Sequence, residues 1–286
     1  DALGIAAGDL MGDSVCADCH GTKASRNGKV SVVSGVSCES CHGPSADWLK
    51  SHGEYHDGMA FKSLEQLRAD RSKETGDHRA ARLAAIEKAG MVRPAEIHSL
   101  ASNCLDCHIV GNDALIAAGH KASSSFELVS WSGGEVRHNY FMDKGTNAAA
   151  PSAWMAETGR SAAQRDRIKF VVGAMAQVEM AFRRRGATKS PIVIPQFGGL
   201  IAGGNAKLGQ MAGAAGAAPE IVQAMGIVGP KIGTAFVPMP TDADIYGAAA
   251  DQISALAKKV SDSNDGSGLG VLDPLTKQLP PRVSKP

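Results

Sequence analysis

Three copies of one five-residue pattern hold every cysteine of the chain. The pattern Cys-x-x-Cys-His occupies residues 16–20, 38–42 and 104–108. Two thiols one helical turn apart can add to the two vinyl groups on one porphyrin edge, and the following His then lies beneath the ring as an axial iron ligand. The spacing therefore predicts three covalently attached c-type haems, each with its iron. The attaching thiols are those of Cys16, Cys19, Cys38, Cys41, Cys104 and Cys107, and the axial imidazoles are those of His20, His42 and His108.

Other cysteine chemistries explain less of this pattern. A disulfide framework in a secreted protein would not demand a His after every second Cys. Zinc bound by two Cys-x-x-Cys pairs would leave the third pair over, and the gaps between the pairs are unequal. A thiol-redox site needs a single pair.

Each haem iron has a second axial position, and the chain has six further histidines to fill three of them. Of these, His52 follows Trp48 by one helical turn, so both rings would lie on one face of a short helix that Ser45 can cap. We therefore expect His52 to be a distal ligand.

His120 and His138 flank the aromatic segment 126–131, which is unusual in this chain. His120 follows Gly119, whose backbone could approach a porphyrin closely. Arg137, next to His138, could pair with a haem propionate. We expect His120 and His138 to be distal ligands by position and Arg137 to contact the cofactor.

Three more histidines fit a distal position less well. His56 lies in a Gly-flanked segment, His78 in a charged run with Asp77 as helix cap, and His98 six residues before Cys104. Solvated histidines are a common outcome at such positions. A methionine could also be the distal iron ligand, and the candidates are Met11, Met59 and Met142. Filling gaps in a core is nevertheless the commoner role of methionine.

Composition and charge limit the class of protein. The 286 residues, 43% of them apolar, suffice for one large domain or two modest ones. Thirty basic and 29 acidic side chains give a net charge of +1, which offers no ground for binding nucleic acid or an anionic membrane surface. No apolar run reaches the roughly 18 residues of a spanning helix. The chain opens at Asp1 without a leader, so we expect a secreted, periplasmic or extracellular protein whose signal peptide has been removed.

The pattern along the chain predicts a mainly α fold with long loops. We expect a trihaem domain over residues 1–150, a helical region over 151–262 that packs on it or on another subunit, and an extended tail over 263–286. The first of these contains a charged helical excursion over 62–90, with Gly90 as its stop and Pro94 opening the next helix.

The C-terminal region predicts two long helices. One spans residues 152–185 and ends in Arg183, Arg184 and Arg185, cations that suit the negative end of the helix dipole before Gly186 stops the helix. The other spans 241–261. The apolar face of the first consists of Ile168, Val171, Val172, Met175, Val178 and Phe182.

Several runs resemble a known family. Residues 35–44, Gly-Val-Ser-Cys-Glu-Ser-Cys-His-Gly-Pro, with Trp48 and His52 after them, resemble the multihaem c-type cytochromes related to the tetrahaem electron acceptor of hydroxylamine oxidoreductase. Residues 119–122 and 126–139 resemble the same group.

The resemblance covers roughly residues 14–185. It implies a mainly helical periplasmic electron carrier, with closely packed haems in parallel-stacked and roughly perpendicular pairs. It also implies mostly bis-His ligation and favours His52, His120 and His138 as distal ligands. This chain has three motifs where the tetrahaem relatives have four. The electron path of those relatives therefore cannot be assigned to this chain in full.

The sequence supports one leading function and two alternatives. Bis-His haems favour electron transfer between a redox protein donor and a redox protein acceptor. A haem without a distal ligand would instead allow an enzyme acting on a small nitrogen or oxygen species, with Arg137 as charge stabiliser. The Ala/Gly-rich C-terminal half could also assemble a haem-bearing homo-oligomer.

Overall fold

The structure is a computed structural model that describes Gly4 and residues 14–56, 63–134, 161–214 and 218–279. It is mainly helical with one small two-stranded sheet, which confirms the predicted mainly α class. Within these residues no helix is long and apolar enough to cross a membrane.

The chain divides into two compact units, one within residues 3–94 and one within 95–286. We call them the N-terminal unit and the C-terminal unit. The first two motifs lie in the N-terminal unit and the third lies in the C-terminal unit. The domain boundary predicted at residue 150 lies outside the described residues.

A hairpin joins the first two motifs. Helix α1 (Ala17–His20) leads into strand β1 (Thr22–Arg26), which pairs antiparallel with β2 (Lys29–Ser34) in a register that matches Lys23 with Val32. The turn is Asn27–Gly28 with φ of 52° and 77°, the left-handed pair that a two-residue hairpin turn requires. The hairpin therefore returns the chain directly to the second motif.

The second motif forms helix α2 (Cys38–His42). Its first turn is closed by a capping box in which the Ser37 hydroxyl accepts from the Glu39 N–H and the Ser40 hydroxyl accepts from the Ser37 N–H, at 3.3 and 3.1 Å. These bonds satisfy backbone donors that would otherwise be unpaired at a helix start.

The rest of the N-terminal unit contains the predicted charged excursion. A 3₁₀ turn (Ser51–Gly53) precedes this excursion, whose described helices are α3 (Leu64–Arg71) and α4 (Gly76–Lys88). The cap of α4 is Thr75, whose hydroxyl accepts from the His78 N–H at 3.3 Å, so the prediction of Asp77 as cap was wrong. The helix begins one residue after Thr75, at Gly76, which leaves Asp77 inside the first turn, where its charge still suits the dipole.

The C-terminal unit is built around one long helix, α8. Helices α5 (Ile97–His108), α6 (Asp113–Ala117) and α7 (Leu128–Gly134) precede it, and α8 spans Ala162–Ala187. The predicted apolar face of α8 is buried, with Ile168, Val171, Val172, Met175, Val178 and Phe182 each at 0% exposure.

Three further helices of the C-terminal unit follow α8 in the described part of the chain. They are α9 (Ile194–Ala212), α10 (Pro219–Val228) and α11 (Asp242–Ser263), and α11, α9 and α5 all pack on α8. A 3₁₀ turn (Gly229–Lys231) follows α10. Since α5 ends in the third motif, the central helix also supports that motif.

The end of α8 differs from its prediction. Gly186 does not stop the helix, which runs on to Ala187. A Cβ at Gly186 would lie 3.3 Å from both the Asp242 carbonyl oxygen and the Tyr246 Cβ, so this glycine allows α11 to approach α8 closely. Arg185 beside it is fully buried and pairs with the fully buried Asp242 at 2.8 Å. This cation is therefore part of the core as well as of the helix end.

The segment expected as an extended tail contains short helical turns over the residues described. A 3₁₀ turn (Gly270–Leu272) and α12 (Asp273–Thr276) follow α11, with Leu272 fully buried. Arg167 of α8 binds both carboxylate oxygens of Asp273, at 2.7 and 2.8 Å, which ties this segment to the central helix.

Candidate haem-binding sites

All three motifs fold as helix. The first forms α1 with Cys16 as N-cap, the second is α2, and the third is the end of α5. The two thiols of each motif are three residues apart and therefore lie on one face, as attachment to one porphyrin edge requires. Cys38 is exposed and the other five thiols are half-buried.

The second motif is held by a two-bond clamp. The Val92 N–H donates to the His42 carbonyl at 2.9 Å, and the His42 Nδ1 donates to the Val92 carbonyl at 2.8 Å. A carbonyl can only accept, so the proton of the imidazole sits on Nδ1 and the lone pair on Nε2. That tautomer is the one in which Nε2 can bind a metal.

Gly43 makes this clamp sterically feasible. Its φ of 82° and ψ of 164° lie in a region that side chains rarely adopt. A Cβ at this position would lie 2.4 Å from the Gly90 carbonyl oxygen, on the segment that leads to Val92.

The third motif has the same clamp. The Ser124 N–H donates to the His108 carbonyl at 3.1 Å, and the Ser124 hydroxyl bonds the His108 Nδ1 at 2.8 Å. The imidazole stacks on Phe126 with ring centroids 4.4 Å apart and meets the edge of Trp131 at 5.0 Å. Two aromatic residues of segment 126–131 thus contact a motif histidine.

Arg184 of α8 also holds the third motif. Its Nε donates to the Ile109 carbonyl at 3.2 Å, and its Nη2 donates to the carbonyl and carboxylate oxygens of Asp106, which lies between the two cysteines. In the sequence, Arg184 is recognisable only as a cation at the end of a helix. No sequence signal pairs it with Asp106, 78 residues away.

The first motif ends in an exposed His20. Asp18, between its cysteines, pairs with Lys23 of β1. The Thr22 hydroxyl donates to the Gly35 carbonyl at 2.8 Å, which ties the start of the hairpin to its end.

His52 contacts Trp48 as its spacing predicts. Their rings meet edge-on at 5.7 Å, and the His52 Nδ1 donates to the Leu49 carbonyl at 2.6 Å, which again makes Nε2 the available nitrogen. The Ser45 hydroxyl does not cap a helix here. It donates instead to the Glu39 carboxylate, as does its N–H, and these bonds lower the pKa of Glu39.

Trp48 supplies an observation that favours a bound anion. Its side chain is 5% exposed, and its Nε1 has no hydrogen-bond partner among the described residues. A buried donor without an acceptor costs free energy. A haem propionate beside His52 would supply that acceptor.

The other predicted distal residues are only partly placed. His120 is exposed after Gly119, whose φ is 101°, and its Nδ1 donates to the Lys121 carbonyl at 2.8 Å. His138 and Arg137 lie outside the described residues.

Two further histidines each place a ring nitrogen beside a carboxylate. The His98 Nε2 lies 2.8 Å from a Glu179 carboxylate oxygen, and both residues are buried. Burial raises the pKa of Glu179, but hydrogen bonds from His98 and Arg183 outweigh it and hold the pKa below its usual value. The His78 Nδ1 lies 3.0 Å from a Glu74 oxygen.

His56 and the candidate methionines complete the set. The His56 Nε2 lies 3.5 Å from Asp70. Met11, Met59 and Met142 lie outside the described residues. Within the described parts of the chain, no three His, Cys, Asp or Glu side chains are grouped as a bare metal ion would need.

The donor groups fit a c-type haem. Each motif offers two thiols on one helical face and a terminal imidazole, and two of these imidazoles are clamped through Nδ1. Residues 4–43, which contain the first two motifs, match the family described as Cytochrome c554 and c-prime. The match supports a c-type cytochrome family. The match likewise supports haem c with iron as the cofactor and suggests a role in haem-based electron transfer. No curated protein and no solved structure matches the chain.

Proposed function

We propose that the chain is a periplasmic trihaem c-type cytochrome that passes electrons between protein partners. The observation that carries this proposal is the clamp repeated at His42 and His108. In both, one downstream residue binds the histidine carbonyl and its Nδ1 together. Such partners orient a metal-binding imidazole and raise its basicity.

Each motif would hold one haem through its own residues. The thiols of Cys16 and Cys19, of Cys38 and Cys41, and of Cys104 and Cys107 would form the thioether links. His20, His42 and His108 would bind iron on one side. His52, His120 and His138 are the proposed ligands on the other side. The haem iron, when bound, supplies one-electron oxidation and reduction.

The rest of the chain would orient these groups and shield them. The Val92 carbonyl fixes the tautomer of His42, and the Ser124 hydroxyl orients the ring of His108. Trp48 would donate its indole N–H to a propionate, and Arg137 is proposed to pair with another. The resemblance to the tetrahaem electron acceptors of hydroxylamine oxidoreductase supports the electron-carrier role, although the chain has one motif fewer.

The coordination of the haem irons distinguishes an electron carrier from an enzyme that reacts at a haem without a distal ligand. The electron-transfer proposal expects only low-spin ferric signals in electron paramagnetic resonance, and no carbon monoxide binding after reduction. The reduced protein should also pass electrons to a small soluble c-type cytochrome in stopped-flow mixing. A native high-spin signal together with carbon monoxide binding would favour the enzyme.

A pair of variants tests the distal ligand in the N-terminal unit. His52→Ala should open one iron and produce one high-spin signal that binds carbon monoxide. His78→Ala is the matched control, because His78 is bonded to Glu74, which precedes the N-cap of its helix, and should leave all signals low-spin. Unchanged spectra in His52→Ala would remove His52 from the ligand set.

A further inference from the structure

An open pocket of about 190 Å³ lies beside the third motif. The end of α5, the loop after Ala122 and one face of α9 line it, and the His108 side chain forms part of its wall. The pocket is smaller than a porphyrin, so a haem placed there would extend through its open side. All of its lining belongs to the C-terminal unit.

The α9 wall contains glycines that no packing contact explains. Gly199 and Gly203 are one turn apart, and a Cβ built on either meets no atom within 4 Å. Gly198 and Gly204 differ: their Cβ atoms would lie 2.8 Å from Phe236 Cδ1 and 2.3 Å from Val178 Cγ2. Gly199, Gly203 and Gly204 all line the pocket, and of these three only Gly204 is explained by close packing within the unit.

A glycine inside a helix destabilises that helix relative to alanine. Close packing at Gly198 and Gly204 offsets that cost. At Gly199 and Gly203 no packing contact among the described residues offsets this loss of helix stability. Contact with a flat group would offset it.

Lys207 lies one turn further along the same face of α9. It lines the pocket, and its Nζ lies 5.0 Å from the centre of the Phe170 ring. Burial lowers the pKa of this ammonium group, opposed by the nearby Glu127 carboxylate. A cation in such surroundings is stabilised by a further anion.

We infer that α9 forms one wall of the third haem site. The haem attached at Cys104 and Cys107 packs against the α9 backbone at Gly199 and Gly203, and Lys207 pairs with one of its propionates. The inference rests on the proposed function, because it requires a haem at the third motif. It assigns the C-terminal helices a direct part in holding the cofactor.

Charge substitution at Lys207 gives the first test, read by spectroelectrochemical titration of the haem-loaded protein. Lys207→Gln should lower the reduction potential of one haem, because a positive charge stabilises the electron-rich state. We expect about a tenfold change in the ratio of oxidised to reduced haem at fixed potential, which is about 59 mV for one electron. Lys207→Arg keeps the charge and should keep the potential.

A larger side chain at position 203 provides the second test, which is measured by circular dichroism in the Soret band. Gly203→Leu should change the signal of one haem or prevent attachment of the third haem. Gly226→Leu is the matched control, because Gly226 lies in helix α10 with no atom within 4 Å of its Cβ position, and it should leave both signal and haem count unchanged.

The outcomes separate the inference from the proposed function. If the unsubstituted protein carries three haems while Lys207→Gln and Gly203→Leu leave every potential and the Soret signal unchanged, the inference is wrong and the proposed function stands. If the unsubstituted protein carries no haem at the third motif, by mass of the peptide containing Cys104, the proposed function fails and the inference fails with it.

Discussion

Gly43→Ala is the substitution that most sharply tests the clamp on the second motif. Alanine is strained at φ 82° and ψ 164°, at a cost of about 1–3 kcal/mol. Its Cβ would also lie 2.4 Å from the Gly90 carbonyl oxygen, closer than real Cβ contacts of 3.0 Å or more. The segment at Gly90 must therefore move away from the motif.

That movement acts on His42 because Val92 is two residues further on. The two bonds between His42 and Val92, at 2.8 and 2.9 Å, would lengthen or break, and each is worth about 0.5–1.5 kcal/mol. With the backbone strain, Gly43→Ala should lower the free energy of unfolding by about 3 kcal/mol. Loss of the Nδ1 partner should also weaken the imidazole as an iron ligand.

Gly28→Ala provides the control. Gly28 also has a positive φ, 77°, but a Cβ there meets no atom within 4 Å, so only the backbone strain of about 1 kcal/mol remains. Urea unfolding of the haem-loaded protein measures both losses, and paramagnetic resonance reports the ligand field of each ferric haem. Equal losses in the two variants, with identical resonance spectra, would refute the clamp.

Three further predictions concern buried polar groups. Arg185→Met should lower the free energy of unfolding by about 3–5 kcal/mol in urea denaturation, because it leaves the Asp242 carboxylate buried without its cation. Adding Asp242→Leu to this variant should recover much of the lost stability. A single variant as stable as the native protein would contradict this. The pKa of Glu179 is held below its usual 4.5, so the stability that this carboxylate contributes is present above pH 4.5 and is lost as the pH falls further. Glu179→Gln should therefore weaken the dependence of urea unfolding on acid pH. An unchanged dependence would contradict the pairing of Glu179 with His98 and Arg183. Trp48→Phe should destabilise the haem-loaded protein by about 1.5 kcal/mol if the indole donates to a propionate, whereas a neutral or more stable variant would show that it does not.

Local patterns in the sequence predicted a good part of the fold. The period of apolar residues from Ile168 to Phe182 identified the central helix and its buried face, because a 3.6-residue repeat has a direct geometric meaning. The last long helix, predicted over 241–261, is observed as Asp242–Ser263. The contact between Trp48 and His52 also follows from spacing along one face.

Contacts between distant parts of the chain could not be predicted in this way. Gly186 looked like a helix stop but allows α11 to approach, and Ser45 looked like a cap but binds Glu39. The carbonyl of Val92 carries no side-chain signal, so its bond to His42 across 50 residues was invisible in the sequence. Such partners depend on packing, which the one-dimensional pattern does not encode.

The mass of the denatured, unreduced protein tests the central claim most directly. Thioether links survive unfolding, so the account predicts the 29.5 kDa polypeptide plus three haem groups, one on each peptide that contains a Cys-x-x-Cys-His motif. A mass equal to the polypeptide alone, or to the polypeptide with disulfides or zinc, would contradict it.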